Sequence, residues 1–398
     1  MSSQIKKRWL SLNKKTHSIN LLFVLYYDFG TNSAIHVHNI ANNLVVSGID
    51  CIVAVPDNKE TIREIGGNLY KTANFREIGN LKRLFNNSKG PDIVHAWTPR
   101  EIVRQYCEEL RSNYRFKQFI HMEDNEDFIL KKELGGNQNY QMNGVYPVHL
   151  SHPVNYRDFL ASADGITVII DSLKNLMPAQ VPIHLLTPGV DTSIFFPREP
   201  DQLLAKSLGI PINSTVICYT GSVHKANAEE VRSLYLAIAL LNQQGYNTFL
   251  VRTGYDGCEF LREDELWIKK YSVELGHIDY KEIPRILSLA HIFVQPGYPN
   301  EFNNYRLPSK LPEFLAMGKP IILPATNLAY YLTHKENAYI LPNADEIQIS
   351  NAVKELLQDN ELYHRLSTGS YEFAKVHLNW QENCQELKKF YESVMSFK

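Results

Sequence analysis

The stretch that most constrains this chain runs from Gln295 to Pro324, QPGYPNEFNNYRLPSKLPEFLAMGKPIILP. It leaves an apolar run, Ile292 to Val294, crosses a polar loop rich in Pro, Gly and Asn, opens a short helix at about Ser309, and enters a second apolar run, Ile321 to Leu323. Strand, loop, helix and strand in that order build a parallel sheet. Ser309 reads as the N-cap, Pro312 is tolerable because it lies in the first turn, and Leu311, Phe314 and Leu315 form the stripe that packs on the sheet. Gly318 supplies the stop. A helix N-terminus at the carboxyl end of a parallel strand offers unpaired N–H groups and a positive dipole end, which suits a phosphate. Lys310 adds a full charge, and Glu313 can accept two hydrogen bonds from a ribose diol. The bland alternative is a buried helix with a salt-bridged Glu313, against which the loop is long and Pro/Asn-rich for a mere connection.

The same alternation fills the rest of the sequence. Leu21 to Tyr26 reads as a strand buried on both faces that runs into Asp28, Phe29, Gly30 and Thr31, and a helix from about Ala34 to Val46 follows, with Gly48 as its stop. Cys51 to Val55, Ile93 to Ala96, Gln118 to His121, Ile166 to Ile170 and Ile183 to Leu186 continue the sheet. A second set begins at Thr215 to Tyr219, followed by a helix that Asn227 and Glu230 would open as a capping-box variant, and continues with Phe249 to Val251, Ile292 to Val294 and Tyr339 to Leu341. Between the sets, TPGVDTSIFFP (Thr187 to Pro197) makes a tight turn ahead of a charged, Pro-containing linker. This divides the chain into residues 1–197, 198–378 and a terminal helix over 379–398. The opening βαβ lacks GxGxxG, so it does not predict a tightly held dinucleotide.

Two of these segments resemble one family. RLPSKLPEFLAMGKPII is similar to the nucleotide-sugar loop of the GT-B glycosyltransferases of family GT4, in which a glutamate at the Glu313 position grips the ribose. TPGVDTSIFFP is similar to the turn that ends the N-terminal domain there, through Pro188, Gly189, Val190, Asp191 and Phe195 or Phe196. The resemblance implies an α/β chain of GT-B type: two Rossmann-like domains with parallel sheets facing across a cleft, acceptor side first and donor side second, and the terminal helix crossing back. It also implies retention of stereochemistry and a histidine, here His121, that reaches the donor sugar; a core or capping histidine is the alternative. Where the family places a second glutamate this chain has Tyr305, with Glu301, Asn303 and Asn304 as substitutes for sugar contact. Where the family places an arginine it has Ser222. Lys225 reads equally as a diphosphate ligand or a solvated lysine, and Ile278 would flank the nucleobase through its backbone.

Glycosyl transfer needs charge compensation on a departing diphosphate, a grip on the sugar and an acceptor hydroxyl held close. No DxD string is present, so the expected site is metal-independent and uses Lys310, the amides around Pro308 to Leu311 (hence Ser309 and Leu311), Arg306 and Gly30. Glu123, Asp124 and Glu126 would receive or bind an acceptor hydroxyl, or form a solvated turn capped by Asp124 or Asn125; His95 and Arg100 are weaker candidates. Net charge is −2, so no global field recruits nucleic acid. The five cysteines carry no CxxC spacing and read as reduced thiols in the cytoplasm. Ile19 to Tyr27 is too short to cross a bilayer. Lys6, Lys7, Arg8, Lys14 and Lys15 around Trp9 and Leu10 read either as a peripheral membrane contact or as a solvated terminus. The polar segment from Gly135 to Ser151 reads as a loop that folds over an acceptor. The partners expected are therefore a nucleoside diphosphate sugar as donor substrate, with no separate cofactor, and a glycan, lipid-linked or protein acceptor. A sugar-nucleotide epimerase and a catalytically degenerate nucleotide-sugar binder are the other readings.

Overall fold

The computed structural model describes residues 19–135, 140–142 and 144–396. The basic and aromatic residues of the N-terminal reading, and positions 136–139 and 143 of the Gly135 to Ser151 loop, lie outside the described residues. Leu22, Phe23 and Val24 are fully buried, as expected of a strand covered by helices on both faces. That strand, β1 (Asn20–Val24), sits in the middle of a sheet with β2 (Asp50–Val55), β3 (Lys71–Asn74), β4 (Ile93–Trp97), β5 (Lys117–Met122), β6 (Gly165–Val168) and β7 (Ile183–Leu185). The order is β3-β2-β1-β4-β5-β6-β7, and neighbouring strands pair in parallel.

The second sheet contains β8 (Thr215–Thr220), β9 (Thr248–Thr253), β10 (Ser272–Glu274), β11 (Ile292–Val294), β12 (Ile321–Pro324) and β13 (Tyr339–Leu341). Its order is β10-β9-β8-β11-β12-β13, again with parallel neighbours. In each sheet the strand order reverses once, beside β1 in the first and β8 in the second, and ligands of open α/β sheets bind in the crevice at that point. The edge strands β3 and β10 are the two strands the sequence pattern did not reveal. They are short and polar because an edge strand needs no apolar run.

The last helix, Trp380–Ser396, packs on the helix Asn32–Val46 of the first domain. The buried Tyr391 hydroxyl is 2.6 Å from Nδ1 of His95, and the Asn383 amide donates to the Thr187 carbonyl at 2.6 Å. On the other side, the carboxyl ends of β5 and β6 meet the loop that follows β11. Phe128 stacks on Phe302 with ring centroids 5.4 Å apart, Ser172 Oγ donates to the Asn304 carbonyl at 2.5 Å, and the Tyr331 hydroxyl donates to Asp171 at 3.1 Å. The cleft is thus bounded by loops at the carboxyl ends of both sheets. Among the described residues no helix is long and apolar enough to cross a membrane.

Candidate active site

The helix opened by the Gln295 to Pro324 segment spans Lys310–Ala316. Ser309 does not cap it: its backbone is already helical and its side chain bonds no helix amide. Leu311 is fully buried and its N–H donates to the Pro308 carbonyl, so that amide is taken by a local turn. The side chains carry the site instead. Lys310 Nζ lies 4.3 Å from the centre of the Tyr219 ring, beside the turn after β8. That turn is open only because Gly221, at φ +144°, has no side chain. A Cβ there would stand 2.8 Å from Lys310 Nζ. Gly254 closes in from β9, where a Cβ would meet the Gly221 carbonyl at 2.5 Å.

Glu313 faces Lys310 and receives a hydrogen bond from Tyr280. Burial raises its pKa to about 8, against the opposing pull of Tyr280 and Lys310. Arg306 approaches from the preceding loop, with its guanidinium 3.9 Å above the Phe302 ring, 3.0 Å from Asn303 Oδ1 and 3.6 Å from Glu230 Oε2. Glu230 is buried and 2.5 Å from Asn303 Nδ2. It therefore does not close the expected capping box with Asn227; it holds the arginine. His224 opens onto the same cleft, where desolvation and then the charges of Arg306 and Lys310 lower its pKa to about 4. Lys310 and Arg306 therefore supply the positive charge of this wall, and His224 stands beside them as a neutral ring.

The other expected ligands are placed differently. Ser222 Oγ accepts from the Tyr255 amide at 3.1 Å and so pins two loops together, and Lys225 is exposed. The Gly30 amide donates to Asp28 at 3.0 Å. Ile278 is half-buried in the turn after β10, beside His277, whose ring lies parallel to Tyr255 at 5.7 Å. That aromatic pair, next to the Ser222 turn, had no signature in the sequence. Glu301 points to solvent, and only its carbonyl meets Asn125, at 3.5 Å. The Asn304 amide oxygen accepts from Thr326 at 2.6 Å and from Tyr330 at 3.3 Å, and Asn303 is bound to Glu230 and Arg306. The three substitutes for Tyr305 are thus committed elsewhere or exposed.

Across the cleft, His121 ends β5, buried and stacked on Trp97 at 3.9 Å. Its Nδ1 lies 2.8 Å from Thr167 Oγ1, while Nε2 has no hydrogen-bond partner among the described residues. Burial lowers its pKa to about 3, over the opposing effect of Glu123, so the ring is neutral. Glu123 accepts from Ser33 at 2.5 Å and Trp97 Nε1 at 2.8 Å, with His36 at 3.3 Å. Burial would raise its pKa, but His36, His121 and Ser33 bring it down to about 2. Asn125, not Asp124, caps the next helix, Glu126–Glu133. His95 is fully buried with both nitrogens engaged, by Tyr391 and Thr167, and serves the fold. Among the described residues no group of three or more His, Cys, Asp or Glu is placed to hold a metal ion.

Residues 214–359 match the family model described as glycosyl transferases group 1. No curated protein sequence matches the chain. The structure is similar to sucrose-phosphate synthase from Thermosynechococcus elongatus (14% identity, TM-score 0.69, 96% of this chain and 100% of that one). It is also similar to Anabaena HepE in complex with UDP-glucose (12%, 0.69, 94% and 100%) and to WaaG, a glycosyltransferase involved in lipopolysaccharide biosynthesis (12%, 0.65, 93% and 99%). At such identities the likeness establishes architecture: the chain has the GT-B fold, and the stretch that matches the group 1 model lies in its second domain.

Proposed function

We propose that this protein transfers a sugar from a nucleoside diphosphate sugar to an acceptor hydroxyl, with retention at the anomeric carbon, in the synthesis of a surface glycan or glycoconjugate at the cytoplasmic side of a membrane. The reading rests on one observation: Lys310, Arg306 and Glu313 converge at the switch point of a group 1 glycosyltransferase domain, where a diphosphate and a ribose would lie together. Lys310 and Arg306 would neutralise the leaving diphosphate without a metal ion, each charge-assisted hydrogen bond being worth about 1.5–3 kcal/mol. Glu313 would bind the ribose diol. His121, neutral and with a free Nε2, would contact the transferred sugar.

HepE was solved with UDP-glucose, so UDP-sugars are the first donors to test. Thermal-shift titration with UDP, GDP, ADP and CMP species should show stabilisation by at least one diphosphate, followed by sugar transfer or slow donor hydrolysis. Stabilisation by none, with neither reaction, refutes the reading. Tyr305, with Glu301 exposed and Asn304 engaged, favours one other reading, a nucleotide-sugar binder without turnover. Tight diphosphate binding with no product from any donor would select it.

A further inference from the structure

The acceptor wall of the cleft carries a group of polar atoms that the fold buries and leaves unsatisfied. Thr98 Oγ1 and His121 Nε2 lack a hydrogen-bond partner among the described residues, while Arg100 Nε and Glu126 Oε1 face each other as a buried ion pair at 3.5 Å. Thr98, His121 and Glu126 are almost wholly buried, and all four sit at the carboxyl ends of β4 and β5 or one turn beyond. Thr98 also holds φ +74°, an uncommon conformation for a β-branched residue. Buried polar groups without partners point to a ligand that supplies them.

Asp124 stands among them. Its neighbours Glu123, Asn125 and Glu126 are all committed: Glu123 to Ser33, His36 and Trp97, Asn125 to the helix cap, and Glu126 to Ser151 at 2.7 Å. Among the described residues no side chain hydrogen-bonds the Asp124 carboxylate. The charged and titratable groups around it are Glu123 and Glu126 on its own segment, Arg100 from the start of the helix Glu101–Asn113, Tyr26 from the end of β1, and Arg306 from the other domain. Both guanidiniums already have a carboxylate, Arg100 with Glu126 at 3.5 Å and Arg306 with Glu230 at 3.6 Å. The acceptor wall is therefore net negative, opposite in sign to the charge that Lys310 and Arg306 bring to the donor wall.

We propose that the Asp124 carboxylate binds the attacking hydroxyl of the acceptor as its hydrogen-bond acceptor, and that this acceptor is an uncharged sugar. The proposal rests on the glycosyl-transfer reading and adds the residue and the substrate class. A phosphorylated or uronic acid acceptor would set its anion against Glu123 and Asp124, where the cations that face Asp124 among the described residues, Arg100 and Arg306, are already paired. A neutral polyol instead supplies donors and acceptors to Asp124 and Thr98, leaving His121 Nε2 to the transferred sugar. Burial first, and then Glu123 and Glu126, raise the Asp124 pKa to about 6 against the pull of Arg100 and Arg306, so the binding form accumulates as pH rises through 6.

The test uses the full chain and its Asp124→Asn variant, with a panel of UDP-, GDP- and ADP-sugars as donors. Methyl glycosides of glucose, galactose and mannose serve as acceptors alongside the 6-phosphates of the same sugars. The expected result is transfer to a neutral glycoside at least tenfold better than to its 6-phosphate, and a fall of about a hundredfold or more in Asp124→Asn. The variant should keep the thermal shift that UDP gives the wild type, and it should lose the rise in rate through pH 6. Activity of the variant within threefold of wild type, preference for the phosphorylated sugar, or an equal loss of the UDP shift overturns the proposal. Absence of transfer to every glycoside with UDP binding intact overturns it alone. Absence of UDP, GDP and ADP binding as well overturns the glycosyl-transfer reading beneath it.

Discussion

Replacing Glu313 by glutamine separates the ribose role from a structural one, because the two readings predict opposite signs for stability. The folded carboxyl titrates at about 8 and the free group at 4.5. Between those values the folded state keeps a proton that the unfolded state releases, so stability falls as pH rises through that window. At pH 7 the chain holds un-ionised a group that water would ionise. The interval from 4.5 to 7, at roughly 1.4 kcal/mol per pH unit, sets this cost at about 3 kcal/mol. Glutamine has the same shape and no titration. The ligand-free variant should therefore be more stable at pH 7 by up to about 3 kcal/mol, a rise in Tm of roughly 6–12 °C for a domain of this size, and the difference should vanish near pH 4. Meanwhile it should bind UDP more weakly by roughly 2- to 13-fold, since the carboxyl is un-ionised at pH 7 and its hydrogen bond to the ribose is a neutral one of about 0.5–1.5 kcal/mol. Scanning fluorimetry from pH 4 to 8.5 and calorimetric titration with UDP measure both. A variant less stable than wild type at pH 7, or one that binds UDP equally, refutes the assignment.

Two further substitutions probe the frame. Gly221→Ala places a methyl group 2.8 Å from Lys310 Nζ at φ +144°, so it should lower stability by about 1–3 kcal/mol and UDP affinity about tenfold as the ammonium is displaced; unchanged affinity by titration would dissociate Lys310 from the diphosphate. Tyr391→Phe removes the hydroxyl 2.6 Å from the fully buried His95 Nδ1, which should cost about 1–3 kcal/mol and lower the calorimetric Tm by several degrees without changing UDP affinity; an unaltered Tm would mean that this hydrogen bond does not help to hold the terminal helix.

The sequence reveals the parts of this fold whose burial is two-sided. Central strands such as β1 and β4 must be apolar throughout and are visible as such, whereas KTAN at β3 and SVE at β10 bury little and leave no pattern. Local helix grammar misled where a loop overrode it. Ser309 looks like a cap and is not one, and Glu230 stands at capping-box spacing from Asn227 yet turns inward to hold Arg306, a partner more than seventy residues away. The candidate site was legible where one short segment carries several polar and charged groups that the structure brings together, as for Arg306, Lys310 and Glu313. It was illegible where function depends on which neighbours are already satisfied. Nothing in the string HMEDNEDF distinguishes Glu123, pinned by three donors, from Asp124, which has none; that difference arises from Ser33, His36 and Trp97, brought in by other strands and helices.

Opposite charge on the two walls gives the cleft a direction. A nucleoside diphosphate sugar is anionic at one end and neutral at the other, so Lys310 and Arg306 would attract its diphosphate while Glu123 and Asp124 would repel it. The sugar is then the part of the donor left to face the acceptor wall. Arg306 is the hinge of this arrangement, since Glu230 and Asn303 fix it from the donor side while its charge still reaches Asp124 on the acceptor side. A diphosphate bound at Arg306 would offset that charge and raise the proton affinity of Asp124. Donor occupancy and the protonation of the acceptor carboxylate are thereby coupled through a single guanidinium.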